Sequence, residues 1–211
     1  MSDKRVQRVP MPTIQRLPMY LNYLNTQASR GRVNVSSANI ASALGLTGIQ
    51  VRKDLAWISN SGKPRTGFPV ELLIQDIRAF LGYELNKRAI LVGVGHLGRA
   101  FLEYDGFGEY GIEIVGAYDI DDEIIGEVLN GVEVEAFDNF PHSVETKYAE
   151  LLILTVPSSS AQGVVDVAVS CGVKYIWSFV PQIVHVPEDV TVQLVDMAQS
   201  LAVLWRQMIG E

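Results

Sequence analysis

A glycine-rich hexapeptide constrains the fold of this chain more than any other feature of its sequence. It follows the apolar run 89–92 directly and consists of Gly93, Val94, Gly95, His96, Leu97 and Gly98. The next apolar run, 112–118, ends in Asp119, 21 positions after Gly98. Glycines at this spacing between a strand and a helix let a pyrophosphate approach the backbone, and an acid about 20 positions further on binds ribose hydroxyls. The sequence therefore predicts a Rossmann-type domain that binds a dinucleotide.

The acidic residue also predicts which dinucleotide binds. A carboxylate at this position accepts hydrogen bonds from a ribose diol and repels a 2′-phosphate. Ile120 follows Asp119, and residues 121–123 are all acidic, so no cation lies nearby in sequence to neutralise such a phosphate. We therefore expect NAD⁺ or NADH rather than the phosphorylated cofactors, with Asp119 and Ile120 in the site.

Strand-like and helical segments alternate from residue 87 to residue 211. The predicted strands are 88–93, 112–119, 132–136, 150–156, 174–179 and 191–195. This βαβ alternation predicts an α/β domain with a doubly wound parallel sheet. Ligands bind at the carboxyl ends of such strands, and the candidate contacts there are Thr155, Val156, Pro157 and Phe179. A last helix, 197–208, has apolar residues at helical spacing, namely Leu201, Leu204 and Trp205.

Residues 1–86 predict a separate helical domain with a linker at 82–86. Helical spacing of Leu17, Leu21 and Leu24 predicts a helix over 13–29, in which Pro18 is tolerable only near the start. Ser36 or Ser37 can cap a second helix. Thr47 can cap a third helix, whose inner face carries Val51, Leu55 and Ile58. A fourth helix over 71–82 has Leu73, Ile77 and Phe80 on its inner face. The tight turn after Gly45 predicts a helix-turn-helix unit, and the turn-rich segment 61–69 predicts the hairpin wing of a winged helix.

The charge distribution and the third helix point to DNA. Residues 1–86 contain 11 Lys and Arg against 5 Asp and Glu, whereas residues 87–211 contain 6 against 19. Such asymmetry hints at nucleic-acid contact by the basic half, although two ordinary domains of different pI explain it equally well. The start of the second helix of the unit enters the major groove. The candidate DNA contacts are Ser37, Thr47, Gln50, Arg52, Lys53, Lys63 and Arg65.

An ordinary three-helix domain with a solvated basic face remains the alternative to DNA binding. We favour DNA because residues suited to base edges, a wing and the charge split coincide. The sequence gives little support for an enzyme, because His96, His142 and His185 have no evident carboxylate partner. It gives little support for a metalloprotein, because no cluster of residues has the spacing of metal ligands. We therefore expect neither an enzyme nor a metal site. Without a long apolar run, a signal-like N-terminus or more than one cysteine, we expect a cytoplasmic protein.

The order of motifs along the chain resembles the Rex family of bacterial redox-sensing transcriptional repressors. The segments that carry the resemblance are VRKDL at 51–55, GVGHLGRA at 93–100, YD at 118–119, LTVP at 154–157 and LVDMA at 194–198. The resemblance implies a homodimer with exchanged C-terminal helices. It also implies binding to an AT-rich inverted-repeat operator when the protein is apo or NAD⁺-bound, and release by NADH.

The resemblance implies a set of switch residues as well. Arg16 matches an arginine of the first helix, Tyr104 a tyrosine near the nicotinamide, and Asp196 an aspartate that joins them from the partner subunit. The wing segment 61–68 and the segment 178–181 depart from the usual family pattern, which leaves the operator preference and the fit around the nicotinamide open. An NAD(H)- or CoA-type nucleotide-binding protein, or a small dehydrogenase, whose helical domain binds proteins remains the alternative function.

Overall fold

The computed structural model describes residues 9–209, except for the side chains at positions 145, 197, 200 and 203. The chain divides into two compact units, the first ending at Glu84 and the second beginning at Leu85. The division lies inside the predicted linker 82–86. None of the helices described is long and apolar enough to cross a membrane.

The first unit is a helical domain with a small ribbon. Its helices are α1 (Met11–Ser29), α2 (Ser37–Leu44), α3 (Gly48–Leu55) and α4 (Val70–Leu81). The strands β1 (Asn34–Val35) and β2 (Phe68–Pro69) pair antiparallel. One apolar core joins the four helices, and its most buried members include Leu17, Leu24, Ile40, Val51, Leu55, Leu73 and Ile77.

Local capping fixes the turn between α2 and α3. Ser36, not Ser37, is the N-cap of α2, and it forms a reciprocal capping box with Asn39. Gly45 ends α2 in the left-handed conformation, at φ 67°. The Thr47 hydroxyl then accepts a hydrogen bond from the Gln50 amide and starts α3. The turn is therefore short and rigid, as a helix-turn-helix unit requires.

The first unit departs from the sequence expectations at three positions. Pro18 lies well inside α1, because that helix begins at Met11 instead of residue 13. The expectation that a proline fits only near the helix start was wrong, since burial of Leu17, Leu21 and Leu24 around it outweighs the hydrogen bond it removes. Ile58 lies beyond the end of α3 but still packs on the core, and Phe80 is 39% exposed.

The second unit contains a seven-stranded sheet in the order β5-β6-β4-β3-β7-β8-β9. Its strands are β3 (Lys87–Val92), β4 (Ile112–Asp119), β5 (Val128–Leu129), β6 (Val132–Ala136), β7 (Leu151–Leu154), β8 (Tyr175–Ser178) and β9 (Thr191–Leu194). All pairings are parallel except that of β5 with β6. The predicted doubly wound α/β class is confirmed, and only the short edge strand β5 was missed, because two residues show no periodicity.

Helices α5 (His96–Leu102), α6 (Phe140–Lys147), α7 (Ser158–Ser170) and α8 (Met197–Met208) complete the second unit. Two apolar clusters cover opposite faces of the sheet. The reversal of strand order between β3 and β7 puts a crevice at their carboxyl ends, where open α/β sheets bind ligands. The glycine-rich hexapeptide follows β3 at this edge.

Candidate dinucleotide and nucleic-acid sites

The three glycines of the loop after β3 have different structural roles. Gly93 has φ 98°, and a Cβ there would lie 2.8 Å from the backbone of Thr155. A Cβ on Gly98 would lie 2.0 Å from the Gly93 carbonyl oxygen, so this glycine lets α5 pack closely on the loop. By contrast, a Cβ on Gly95 would meet nothing within 4 Å. The loop therefore has open space in front of its middle glycine, where a pyrophosphate would lie against the backbone.

Asp119 closes the loop from the end of β4. One carboxylate oxygen accepts a hydrogen bond from the Val94 amide at 2.5 Å. The other accepts from the amides of Ile120 at 2.7 Å and Asp121 at 3.1 Å. Asp119 is half-buried and Ile120 is exposed. The acid is thus held beside the loop with free carboxylate lone pairs for a ribose diol, and no basic side chain of residues 9–209 forms an ion pair with it.

The end of β7 lines the crevice together with the glycine loop and Asp119. The Thr155 hydroxyl donates to the carbonyl oxygens of Val92 at 3.1 Å and Gly93 at 2.7 Å. Val156 is half-buried, and Pro157 is the N-cap of α7. His96 and Leu97, the remaining loop residues, begin α5, with His96 exposed. The geometry therefore gathers the predicted loop, Asp119 and Thr155 around one crevice, which fits a dinucleotide.

An aromatic cluster extends from the crevice and was not predicted. Phe179 packs edge-on against Phe101 and Trp177, with both centroid distances at 4.7 Å. Phe107 contacts Trp177 at 6.0 Å and Tyr104 at 5.1 Å. The available sequence signal was the run of aromatic residues at positions 101, 104 and 107, but they share no single helix, because α5 ends at Leu102 and Phe107 lies in a separate 3-10 helix.

Tyr104 lies at the far end of this cluster from Phe179. It is half-exposed and lines a cavity of about 650 Å³ together with Ile112 and Glu113, at the amino end of β4. The glycine loop lies at the carboxyl end of the neighbouring strand, so the described chain does not bring Tyr104 next to the loop. Its predicted place near the nicotinamide remains a proposal.

The third helix presents a basic face. Arg52 and Lys53 are exposed, Gln50 is half-buried, and Val51 and Leu55 take the core positions. Ser37 opens α2 and is half-buried, while the exposed Thr47 caps α3. The cations are therefore available to a ligand, and the fixed start of the helix holds them in a defined direction.

The predicted wing is a small hairpin. Lys63 and Gly67 exchange backbone hydrogen bonds at 2.9 and 3.0 Å, and they close a loop with Arg65 at its tip. Arg65 has a φ of 67°, which is rare for a residue with a side chain. Lys63 and Arg65 are both exposed. The hairpin thus holds its two cations in solvent at the end of a constrained turn.

A buried carboxylate joins α1 to α3, and sequence reasoning missed it. Asp54 is 4% exposed and accepts hydrogen bonds from Thr13 at 2.8 Å and from Tyr20 at 2.6 Å. The Arg16 guanidinium binds it in a bidentate manner, at 2.7 and 2.9 Å. Thr13, Arg16 and Tyr20 recur along one face of α1, and Asp54 stands among the apolar inner positions of α3; together these were the available signal.

This network shifts the pKa of its members. Burial alone would raise the pKa of Asp54, but the hydrogen bonds from Arg16, Tyr20 and Thr13 outweigh it and lower the pKa. Burial, with the hydrogen bond to Asp54, raises the pKa of Tyr20. The Asp54 hydrogen bond raises the pKa of Arg16. A carboxylate and a guanidinium therefore pair in their charged forms beside a neutral phenol.

The predicted switch aspartate has a local partner in the single chain. Asp196 is the N-cap of α8, and its carboxylate accepts from the Ala198 amide at 2.8 Å. Beyond it, α8 exposes Leu201 and Leu204 at 51% each and Trp205 at 59%. An apolar stripe of this kind more often packs in the core of its own chain. These side chains are exposed, so they are not core residues of their own unit. Among the residues described, no cluster of possible metal ligands occurs.

Comparison with known proteins adds relatives over nearly the whole chain. Residues 8–56 match the family described as "Putative DNA-binding protein N-terminus", and residues 85–182 match that described as "CoA binding domain". Proteins named redox-sensing transcriptional repressor Rex from Bacteroides thetaiotaomicron and Treponema denticola are 37% and 39% identical. The alignments cover 95% and 94% of this chain, and 91% and 95% of the relatives.

The chain belongs to the Rex family. A crystal structure of RSP, a Rex-family repressor, in complex with NAD⁺ and operator DNA has a TM-score of 0.90 and 30% identity, covering 96% of this chain and 93% of that one. RSP in complex with NADH has a TM-score of 0.88, also at 30% identity, covering 95% and 94%. The predicted resemblance is thus confirmed. The family is one of repressors, which favours the prediction that this chain is not an enzyme over the alternative of a small dehydrogenase.

Proposed function

We propose that the protein is a transcriptional repressor that senses the NADH/NAD⁺ ratio in the cytoplasm. It binds operator DNA when apo or NAD⁺-bound, and NADH releases it. One observation carries the proposal: a dinucleotide crevice and a basic helix-turn-helix occur in one chain whose Rex relatives span nearly its full length. RSP has been solved both with NAD⁺ and operator DNA and with NADH.

The crevice supports NAD(H) as the ligand. The space in front of Gly95 takes the pyrophosphate, and Asp119, already tied to the Val94 amide, takes the ribose hydroxyls. Ile120 lies beside Asp119 in this site. At the nicotinamide end, the proposed contacts are Thr155, Val156, Pro157 and Phe179. A 2′-phosphate would approach Asp119 and the acidic residues 121–123, so NADP(H) is disfavoured by like charge. The cofactor when bound supplies a redox-dependent charge, since only the oxidised ring is cationic.

The basic face supports duplex DNA as the partner. Arg52 and Gln50 suit guanine and adenine edges respectively, and Lys53 suits a phosphate. Lys63 and Arg65 extend the cationic surface onto the wing, while Ser37 and Thr47 offer hydroxyls at helix starts. An inverted repeat is the proposed operator, because two copies of this domain related by a two-fold axis read two half-sites. The proposed AT-rich composition comes from the resemblance to the family.

The exposed stripe on α8 supports a homodimer. Leu201, Leu204 and Trp205 are each more than half exposed on one helix face, and contiguous exposed apolar residues mark protein–protein interaction sites. We propose that the two subunits exchange α8 so that this stripe is buried against the partner. The exchange would also bring Asp196 of one subunit to the other.

The switch proposal concerns Arg16, Tyr104 and Asp196. In the DNA-binding form, Asp196 of the partner subunit pairs with Arg16 and accepts a hydrogen bond from Tyr104. The Nε and one terminal nitrogen of Arg16 already bind Asp54, and its other terminal nitrogen keeps donors for a second carboxylate. Arg16 would then join Asp196 directly to the helix that reads DNA. NADH shifts the equilibrium only through its different affinity for the two forms.

Operator binding measured across NADH/NAD⁺ ratios tests the function. We expect a fluorescent AT-rich inverted-repeat duplex to bind the full-length protein with NAD⁺ and to be released by NADH. Asp119→Ala should bind the same duplex but require more NADH for release. Failure of NADH to release the wild-type protein would contradict the sensing function, even if the duplex binds.

A further inference from the structure

Helix α3, which is the DNA-recognition helix of the proposed function, exposes one large apolar side chain. Ile49, the second residue of α3, is 65% exposed, whereas Val51 and Leu55 of the same helix are fully buried. Ile49 shares its helix face with Arg52 and Lys53, three and four positions further on, and both cations are exposed. An isoleucine is therefore held in solvent in the first turn of α3, on the helix face that carries Arg52 and Lys53.

The start of α3 is too constrained for Ile49 to turn inward. Thr47 caps the helix, and the position of a Cβ on Gly48 lies 3.9 Å from the Ala38 Cα, so α2 packs closely on this turn. Any rotation of α3 that buried Ile49 would expose Val51 and Leu55. Single exposed apolar residues are common on protein surfaces. This one differs because it lies in the first turn of the helix that enters the major groove.

Among the base edges of the major groove, the thymine C5-methyl is the apolar group. Ile49 lies one helical turn before the two cations, so its apolar side chain is complementary to that methyl group rather than to the polar atoms of the base edges. The excess of basic residues in positions 1–86 supplies the charge complementarity that brings the helix to the duplex.

We propose that Ile49 is a specificity-determining residue that contacts a thymine methyl group in each operator half-site. The proposal rests on the proposed function and narrows it, because it assigns the reading of one A·T pair per half-site to a residue that makes no hydrogen bond to DNA through its side chain. Next to this contact, Arg52 would read a guanine edge and Lys53 would bind a phosphate.

The experiment is a double-mutant cycle between protein and DNA. The probe is the duplex that the full-length wild-type protein selects from random DNA in the absence of NADH. Each thymine is replaced in turn by deoxyuridine, which removes the methyl group and keeps the base pairing. We expect one replacement per half-site to weaken wild-type binding roughly fourfold, and the two symmetric replacements together about 15-fold, as for loss of one buried methyl-sized contact each.

The variant Ile49→Ala should bind the thymine and deoxyuridine duplexes with equal affinity. Ile49→Val, which keeps a branched side chain, should retain part of the discrimination. Leu72→Ala, at an exposed apolar residue of α4, is the matched control and should discriminate as the wild type does. Because position 49 is exposed and alanine favours helix, the variant should keep the wild-type melting temperature.

The outcomes separate this inference from the function on which it rests. If the wild-type protein selects no duplex, DNA binding itself fails, and the inference fails with it. If a duplex is selected but no deoxyuridine replacement weakens binding, the inference alone is overturned. It is also overturned if Ile49→Ala retains the wild-type discrimination, since another residue then reads the methyl group.

Discussion

Replacing Asp54 by alanine should destabilise the first unit more than any exposed substitution. The change removes the acceptor for the hydroxyls of Thr13 and Tyr20, which are 3% and 0% exposed. Each buried donor left unpaired costs about 1–3 kcal/mol. Arg16 loses its bidentate partner but reaches solvent, so it contributes less to the loss in free energy of unfolding. We expect a total loss of about 3–5 kcal/mol, the usual range when one member of a buried pair is removed.

Urea unfolding of the full-length protein measures this loss. In a background with Trp177→Phe and Trp205→Phe, Trp57 is the remaining tryptophan and reports on the first unit. Tyr20→Phe removes one donor and leaves the carboxylate three other hydrogen bonds, so it should cost about 1 kcal/mol. Glu84→Gln removes an exposed carboxylate and is the matched control. A free energy of unfolding for Asp54→Ala within about 1 kcal/mol of the background would refute the reasoning.

The same network predicts a pH dependence with a defined sign. The folded-state pKa of Asp54 is lowered, so its contribution is complete above the ordinary value of 3.8 and is lost as the pH falls through the lower folded value. The pKa of Tyr20 is raised above 10.0, so its contribution is complete below that value and is lost in more alkaline solution. The stability difference between wild type and Asp54→Ala should therefore be constant from about pH 5 to 9 and shrink in acid.

The remaining predictions concern the sites. The wild-type protein should bind NADH more tightly than NADPH in a nicotinamide fluorescence titration, and Asp119→Ala should reduce that preference; equal affinities for the two cofactors in the wild type would contradict the role of Asp119. Arg52→Ala should cost about 1–3 kcal/mol of operator binding and relax base preference, whereas Lys53→Ala should weaken all sequences alike and reduce the salt slope by about one unit. Truncation after Asp196 should give monomers or insoluble protein in analytical ultracentrifugation, and a soluble dimeric truncation would contradict the role of α8. Asp196→Ala and Arg16→Ala should keep NADH binding but lose the ratio dependence of operator binding, and an unchanged response in both would mean that the signal takes another route.

The parts of the fold that follow local rules were predictable from the sequence. The glycine hexapeptide predicted both the class of the second unit and the place of its crevice. A Cβ at Gly93 or Gly98 would clash with neighbouring backbone, so this close packing of loop and helix requires glycine at both positions. The helix starts at Ser36 and Thr47 were predictable because a hydroxyl satisfies an amide two or three residues away. The parallel sheet followed from alternation, since parallel strands need crossover helices between them.

The parts that depend on contacts between distant segments were not predictable in the same way. The local sequence of α3 shows Asp54 as a polar residue among apolar inner positions, but it does not identify partners on α1, because that pairing joins residues up to 41 positions apart. The place of Pro18 inside α1 depended on burial around it, which outweighs the intrinsic preference. The aromatic cluster around Trp177 likewise needs strand β8 to lie beside the end of α5.

The Arg16 guanidinium shows why the network of Asp54 matters for the proposed switch. A lysine would place one point charge at this position, whereas the guanidinium presents two parallel N–H groups to Asp54 and leaves further donors in the same plane. The side chain that the resemblance assigns to signalling is therefore already fixed to α3 within the single chain. A carboxylate that approaches the remaining donors acts on α1 and α3 as one body, because Asp54 holds the two helices together through Thr13 and Tyr20 as well. Under the proposed switch, signal transfer would require no rearrangement inside the first unit, only a change in what the open side of Arg16 binds.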